Sequence, residues 1–175
     1  EDTALSFAGI TNTNGASAGH GRTSVELGTS AGFFGAYSRT AHSTSASVLA
    51  GEGATMQRDY AYRSAVHLED LESPIAIGRE AAERVLARIN PGRPRTGTYS
   101  VIYDPRVSAS LLGHLVCAIN GAAIARGTSF LKDSLGTQIL SAGLTVHDDP
   151  RCLRGAASRP FDGEGWAALP LDLIA

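Results

Sequence analysis

Between Asp104 and Gly127 the chain carries its longest helical pattern, and anything of this size must be built around it. Asp104 is a good N-cap and Pro105 suits the first turn, where a missing N–H costs nothing. Apolar residues recur at Val107, Leu111, Leu112, Leu115, Val116, Ile119, Ala122, Ala123 and Ile124, spaced three and four apart. That spacing predicts one helix near 105–126 with a broad buried stripe, stopped by Gly127.

The chemistry absent from this helix constrains function as much as its pattern constrains the fold. A hydrolytic zinc helix presents imidazoles on one face and a carboxylate that handles the water proton. Here His114 and Cys117 are one turn apart, and no acidic residue lies between Asp104 and Asp133. In an apolar stripe a lone cysteine reads as a small hydrophobe. His114 and Cys117 with Cys152 or His147 could form a soft-metal set, but packing is the preferred reading.

The chain has 175 residues, 43% of them hydrophobic, enough for one domain with a real core or two small lobes. A net charge of −2 offers no basic field, so neither nucleic acid nor an anionic membrane is an expected partner. Two cysteines, no apolar run of transmembrane length and no signal-peptide pattern point to the cytoplasm. The first residue is Glu and the last segment stops on an apolar run, which suggests a fragment of a longer protein.

Read in order, residues 3–10 could form a short strand and residues 11–21, rich in Gly, Asn, Ser and Thr, a connecting loop. Strands follow near 23–27, 32–37 and 42–50, the last with Ser43, Ser45 and Ser47 opposite Thr44, Ala46 and Val48. Gly51-Glu-Gly53 turns the chain into a strand over 55–64, with Met56, Arg58, Tyr60 and Tyr62 on one side and Gln57, Asp59 and Ala61 on the other. This is an antiparallel meander. Its small, polar face and open edge could accept an extended peptide, although packing is the preferred role.

Ser73-Pro74 opens a second helix to about residue 89, with Ile77, Ala81, Val85 and Ile89 inward. Residues 98–103 read as a strand leading into the long helix, and residues 144–147 as another. The fold class is therefore α+β: a β region over 1–70, then an α/β region over 71–175 with a C-terminal strand and loop. Asp148, Asp149, Asp162 and Glu164 could bind a hard cation, but their spacing fits no EF-hand and turn chemistry is preferred. Ser129 lacks the context of a nucleophile and is assigned to the helix end. His20, His42 and His67 show no fixed interval.

Six collinear stretches give the chain a likeness. Gly53-Ala-Thr-Met-Gln-Arg-Asp-Tyr60, Tyr103-Asp-Pro-Arg106, Ala125-Arg-Gly-Thr-Ser-Phe-Leu-Lys132, Leu135-Gly136, Leu144-Thr-Val-His-Asp-Asp-Pro150 and Ser158-Arg-Pro-Phe-Asp-Gly-Glu-Gly165 together resemble the PmbA/TldD family, once labelled modulators of DNA gyrase. Residues 10–17 and 32–37 fit its middle region, so the likeness covers essentially the whole chain. It implies a subunit of a two-part, zinc-dependent cytoplasmic protease acting on unfolded or extended peptides, including peptide-antibiotic precursors and antitoxins.

In that pairing the TldD-type subunit carries a His-Glu-x-x-x-His motif on the equivalent of the long helix. Counted back from Gly127-Thr-Ser129, the motif positions here hold Leu112, Gly113 and Cys117. The likeness thus implies the PmbA/TldE-like branch, with no cofactor of its own and zinc in a TldD-like partner. The competing expectations are an active metallopeptidase whose ligands lie outside this chain, and a protein-binding module that modulates gyrase.

Overall fold

The computed structural model describes residues 1–174. They form two compact units, one of residues 1–93 with 147–173, the other of residues 94–146 with Ile174.

The first unit is organised by a three-stranded antiparallel sheet in the order β1 (Ile10–Gly28), β2 (Phe34–Ala50), β3 (Gln57–Ala65). The meander is as the sequence predicts, and with the helices it makes the chain α+β. Three local expectations are overturned. Residues 2–5 form a short helix, α1 (Asp2–Leu5), where a strand was expected. Residues 11–21 are not a loop but lie within β1, a strand of 19 residues.

Long-range pairing overrides local turn chemistry there. From Gly15↔Ser47 to Gly28↔Phe34 every residue of β1 faces a partner on β2, so the backbone groups on its inner edge are paired without a buried face. Irregularities are confined to the start, where the register shifts between Thr13 and Gly15. Gly15 adopts φ +107°, and the Thr13 hydroxyl accepts from its N–H (3.0 Å) while donating to Ser47 O (3.2 Å). The stretches expected as separate strands near 32–37 and 42–50 are likewise one strand, β2.

The core lies under one end of this sheet. Alternation brings Thr44, Ala46, Val48 and Ala50 of β2 and Asp59 and Ala61 of β3 to the buried face. Against them packs α2 (Pro74–Leu86), which buries Ile77, Ala81, Ala82 and Val85, while α1 contributes Ala4. Asp59, buried among these, is paired with Arg88 at 3.3 Å. The opposite face carries Ser45 across from Tyr62 and Ser47 across from Tyr60, with both tyrosines exposed.

The start of α2 follows its sequence signal. Ser73 is extended and its Oγ accepts the Ala76 N–H at 3.2 Å, with Pro74 in the first turn. Replacing Ser73 by alanine is expected to cost about 1 kcal/mol, read as a lowered denaturant midpoint of the intact protein. Glu80 pairs with Arg84 one turn on, as its spacing predicts, and also with Arg63 of β3 at 3.0 Å.

The first unit extends from the sheet through α2 to Arg93. The apolar face of α2 is covered by the sheet and by α1, which holds the helix in this unit. Residues 147–173 also join this unit. Phe161 is buried, with its ring edge-on to Phe33 and Tyr37 at centroid distances of 5.2 and 5.3 Å, and Arg154 grips Asp70 and Glu69. Two short strands, β4 (Val146–Asp148) and β5 (Leu171–Ile174), pair near the end of the chain.

In the second unit the strand expected over 98–103 is absent: with no partner strand among the described residues, the segment is irregular and Ile102 is 98% exposed. The predicted long helix is broken into α3 (Pro105–Ile119) and α4 (Gly121–Ala125). Asp104 caps the first as predicted, accepting the Arg106 N–H at 2.9 Å. Asn120 leaves the helical conformation at ψ 126° and caps α4 by accepting from Ala122 and Ala123. An Asn-Gly pair favours such a restart over continuation.

Gly127 does end the helical run. It takes φ +68°, its N–H reaches Ile124 O and the Thr128 N–H reaches Ala123 O, a Schellman closure. The buried stripe expected on this helix is corrected as well. Ala118 is buried and Leu115 and Ile119 half-buried, but Leu111, Leu112 and Val116 are 47%, 54% and 48% exposed. Too little of the second unit faces α3 to cover an arc that wide.

Candidate functional site

α3 holds the positions at which the family likeness would put a metal motif. Leu112 and Gly113 can donate nothing to a cation, and Cys117 contributes one thiol on an exposed surface. Crowding does not explain the missing carboxylate: a Cβ built on Gly113 meets no atom within 4 Å. Room exists for a side chain that the sequence does not supply. Among the described residues no group of three or more His, Cys, Asp or Glu is placed to hold a metal ion. This donor set does not fit a catalytic zinc.

The other candidates resolve into structural roles. Asp149 Oδ1 accepts the Arg151 N–H at 2.9 Å, and Asp162 Oδ1 accepts from Glu164 and Trp166, both at 2.9 Å. These carboxylates serve turns, as preferred from the sequence. Ser129 is buried, donating to Ala118 O at 2.6 Å and accepting from Leu131, so its hydroxyl ties down the end of the helical pair.

His20 and His42, which the sequence leaves unconnected, face each other across β1 and β2 with ring centroids 4.6 Å apart. Both lie 11 residues from position 31, the centre of the hairpin register, and that symmetry was the available signal. Recognising it required knowing that residues 11–21 are strand.

His147, once a possible soft-metal ligand, instead sets its Nδ1 2.6 Å from Asp172 Oδ1. The hydrogen bond to Asp172 raises its pKa above the usual 6.5, and the nearby Asp149 and Asp148 add to this. A raised folded pKa means the pair favours the fold fully below pH 6.5, and this contribution is lost as pH climbs through the folded value. An NMR titration is expected to place His147 above 6.5, and Asp172→Asn to return it towards 6.5.

One feature of the first unit has no counterpart among the sequence candidates. An open cleft of about 380 Å³ is lined by Tyr37 and Arg39 of β2 and by Pro150, Arg151, Arg159 and Pro160. Arg39 donates to Ala156 O at 2.8 Å and Arg151 to Ala168 O at 2.6 Å. Among the described residues no carboxylate pairs with any of these three arginines.

Residues 1–89 match the model of the PmbA/TldA metallopeptidase central domain, and residues 96–175 that of the PmbA/TldA metallopeptidase C-terminal domain. This chain belongs to the PmbA/TldD family. Among curated members, Metalloprotease PmbA of Escherichia coli O157:H7 is 41% identical over 94% of this chain, and the Haemophilus influenzae homologue is 36% identical over 94%. The chain spans 37% of the length of each of these PmbA relatives.

The crystal structure of a Bacteroides thetaiotaomicron protein described as a candidate modulator of DNA gyrase superposes with a TM-score of 0.91 at 31% identity, covering 99% of this chain and 40% of that one. A Thermotoga maritima protein of the same description shares the fold at TM-score 0.91 and 21% identity, again over 99% of this chain and 40% of its own. The PmbA/TldD fold thus accommodates the long β1–β2 hairpin and the broken helix. No helix of the described residues is long and apolar enough to cross a membrane.

Proposed function

We propose that this chain is part of a PmbA/TldE-like, non-catalytic subunit of a cytoplasmic, zinc-dependent protease. It pairs with a TldD-like chain that supplies the zinc and helps enclose an unfolded or extended peptide. The observation that carries this reading is the donor set of α3: at the motif positions stand Leu112, Gly113 and Cys117, one thiol where a zinc hydrolase needs imidazoles and a carboxylate. Family membership supports the proteolytic context. The free outer edge of β1, which among the described residues pairs only with β2, suits an extended peptide backbone.

The test is metal analysis and peptide hydrolysis with the intact protein, alone and mixed with a TldD-like chain. The expected result is no stoichiometric, tightly held zinc and no hydrolysis alone, with hydrolysis on mixing. A second reading is an active metallopeptidase with ligands elsewhere in the intact protein, favoured by the name metalloprotease on relatives of which this chain spans 37%. Chelator-sensitive hydrolysis without any partner would establish it. A gyrase-binding role, suggested by the description of the Bacteroides protein, would require gyrase to be retained by the intact protein in the absence of a TldD-like chain.

A further inference from the structure

We infer that the arginine-lined cleft of the first unit binds the carboxylate side chains of an acidic, extended peptide. Arg39, Arg151 and Arg159 reach one cleft from segments more than a hundred residues apart in sequence, on a chain whose net charge is −2. Three like charges at one place repel each other, and a fold usually offsets them with carboxylates. Arg154, close by in sequence, shows the ordinary solution, with Asp70 at 2.7 Å and Glu69 at 2.7 Å.

The cleft arginines have no such partner among the described residues. Asp149 and Asp162 are near in sequence, but each turns an oxygen to the backbone N–H groups of its own turn, and neither forms an ion pair with a cleft arginine among the described residues. Arg39 and Arg151 are oriented by carbonyls, Ala156 O and Ala168 O, which fix the guanidinium planes without neutralising them. A planar guanidinium with N–H groups to spare is the best donor for a carboxylate, which it takes in a two-bond fork. Between the arginines, Tyr37, Pro150 and Pro160 offer apolar surface to the peptide on either side of the acidic residue, and Ser38 and Ser158 complete the lining.

This site deepens the peptide-handling function proposed above and rests on it, adding a preference for acidic sequences. The probe is a fluorescein-labelled, C-terminally amidated octapeptide with two glutamates, compared with its glutamine counterpart on the intact protein at low salt. The acidic peptide is expected to bind about tenfold more tightly, as a charge-assisted hydrogen bond predicts, and to lose that margin as salt is raised.

Arg159→Glu removes a side chain with no hydrogen bond to the described residues and is expected to abolish the margin, while Arg159→Lys, which keeps the charge but not the fork, retains part of it. Equal binding of the two peptides would overturn the carboxylate site and leave the peptide-handling reading intact. If neither peptide binds, both fall. Inorganic phosphate binding more tightly than the acidic peptide would also overturn the assignment.

Discussion

Replacing Phe161 by alanine is expected to loosen the C-terminal loop of the first unit by about 3 kcal/mol, so that amides of the loop exchange roughly a hundredfold faster. Phe161 is only 7% exposed and meets Phe33 and Tyr37 edge-on, the geometry in which aromatic pairs gain beyond simple area burial. The packing passes through backbone that has no side chain. A Cβ on Gly35 would lie 2.7 Å from both Phe161 and Phe33, and one on Gly165 would lie 2.6 Å from Phe33. Such close layers cannot collapse into the space a lost ring leaves, so most of the cavity cost persists.

The amides to follow are Asp162, bonded to Trp166 O at 2.9 Å, and Ala168, bonded to Pro160 O at 3.0 Å. Protection unchanged in Phe161→Ala would show that Arg154 and its acidic partners hold the loop by themselves. The same substitution bears on the cleft, because Tyr37 and Pro160 flank the ring and form its walls. Weakened peptide binding is expected alongside the faster exchange.

How much of this was visible in the sequence depended on whether burial was written into it. β2 beyond His42 and β3 alternate between buried and half-exposed positions, and their pairing followed from that period of two. α2 was legible at both levels, with its cap at Ser73 and its stripe at Ile77, Ala81 and Val85. The far part of the β1–β2 hairpin was not. Residues 16–24 are exposed throughout and mostly small and polar, so their periodicity has nothing to report, and only pairing with β2 makes them strand.

α3 failed in the opposite sense, since its apolar period is real but a single Asn-Gly step at 120 and 121 divides the pattern. A period reports which face is apolar and is silent about what covers it, as the exposed Leu111, Leu112 and Val116 demonstrate. The arginine cleft was beyond sequence reasoning because it joins Arg39 to a loop 117 residues on, at Ala156. The family motif positions on α3 came from a resemblance and not from periodicity.

Ile77 and Ile75 sit one residue to either side of Ala76 on α2, and their replacement by alanine is expected to differ by about 3 kcal/mol. Ile77 is 1% exposed and one of only three large side chains, with Val48 and Val85, that the first unit buries completely. The remaining core is mainly alanine, from Ala4, Ala46, Ala50, Ala61, Ala81 and Ala82. Small neighbours on rigid strands cannot reach into the space left by an isobutyl-sized group, so Ile77→Ala should lie in the middle of the 2–5 kcal/mol range for such truncations.

Ile75 is 60% exposed in the first turn, and its truncation should change stability by less than about 0.5 kcal/mol. Amide exchange in β2 and β3 of the intact protein reads the two variants against each other without assuming that the whole molecule unfolds in one step. Equal, small effects would mean that α2 is held by its Glu80 pairs with Arg63 and Arg84, and not by its apolar face. The expected inequality follows from the physics of each contact: half-buried ion pairs of this kind offset part of their attraction by lost hydration and contribute on the order of 1 kcal/mol, whereas truncating a buried isoleucine costs several times that.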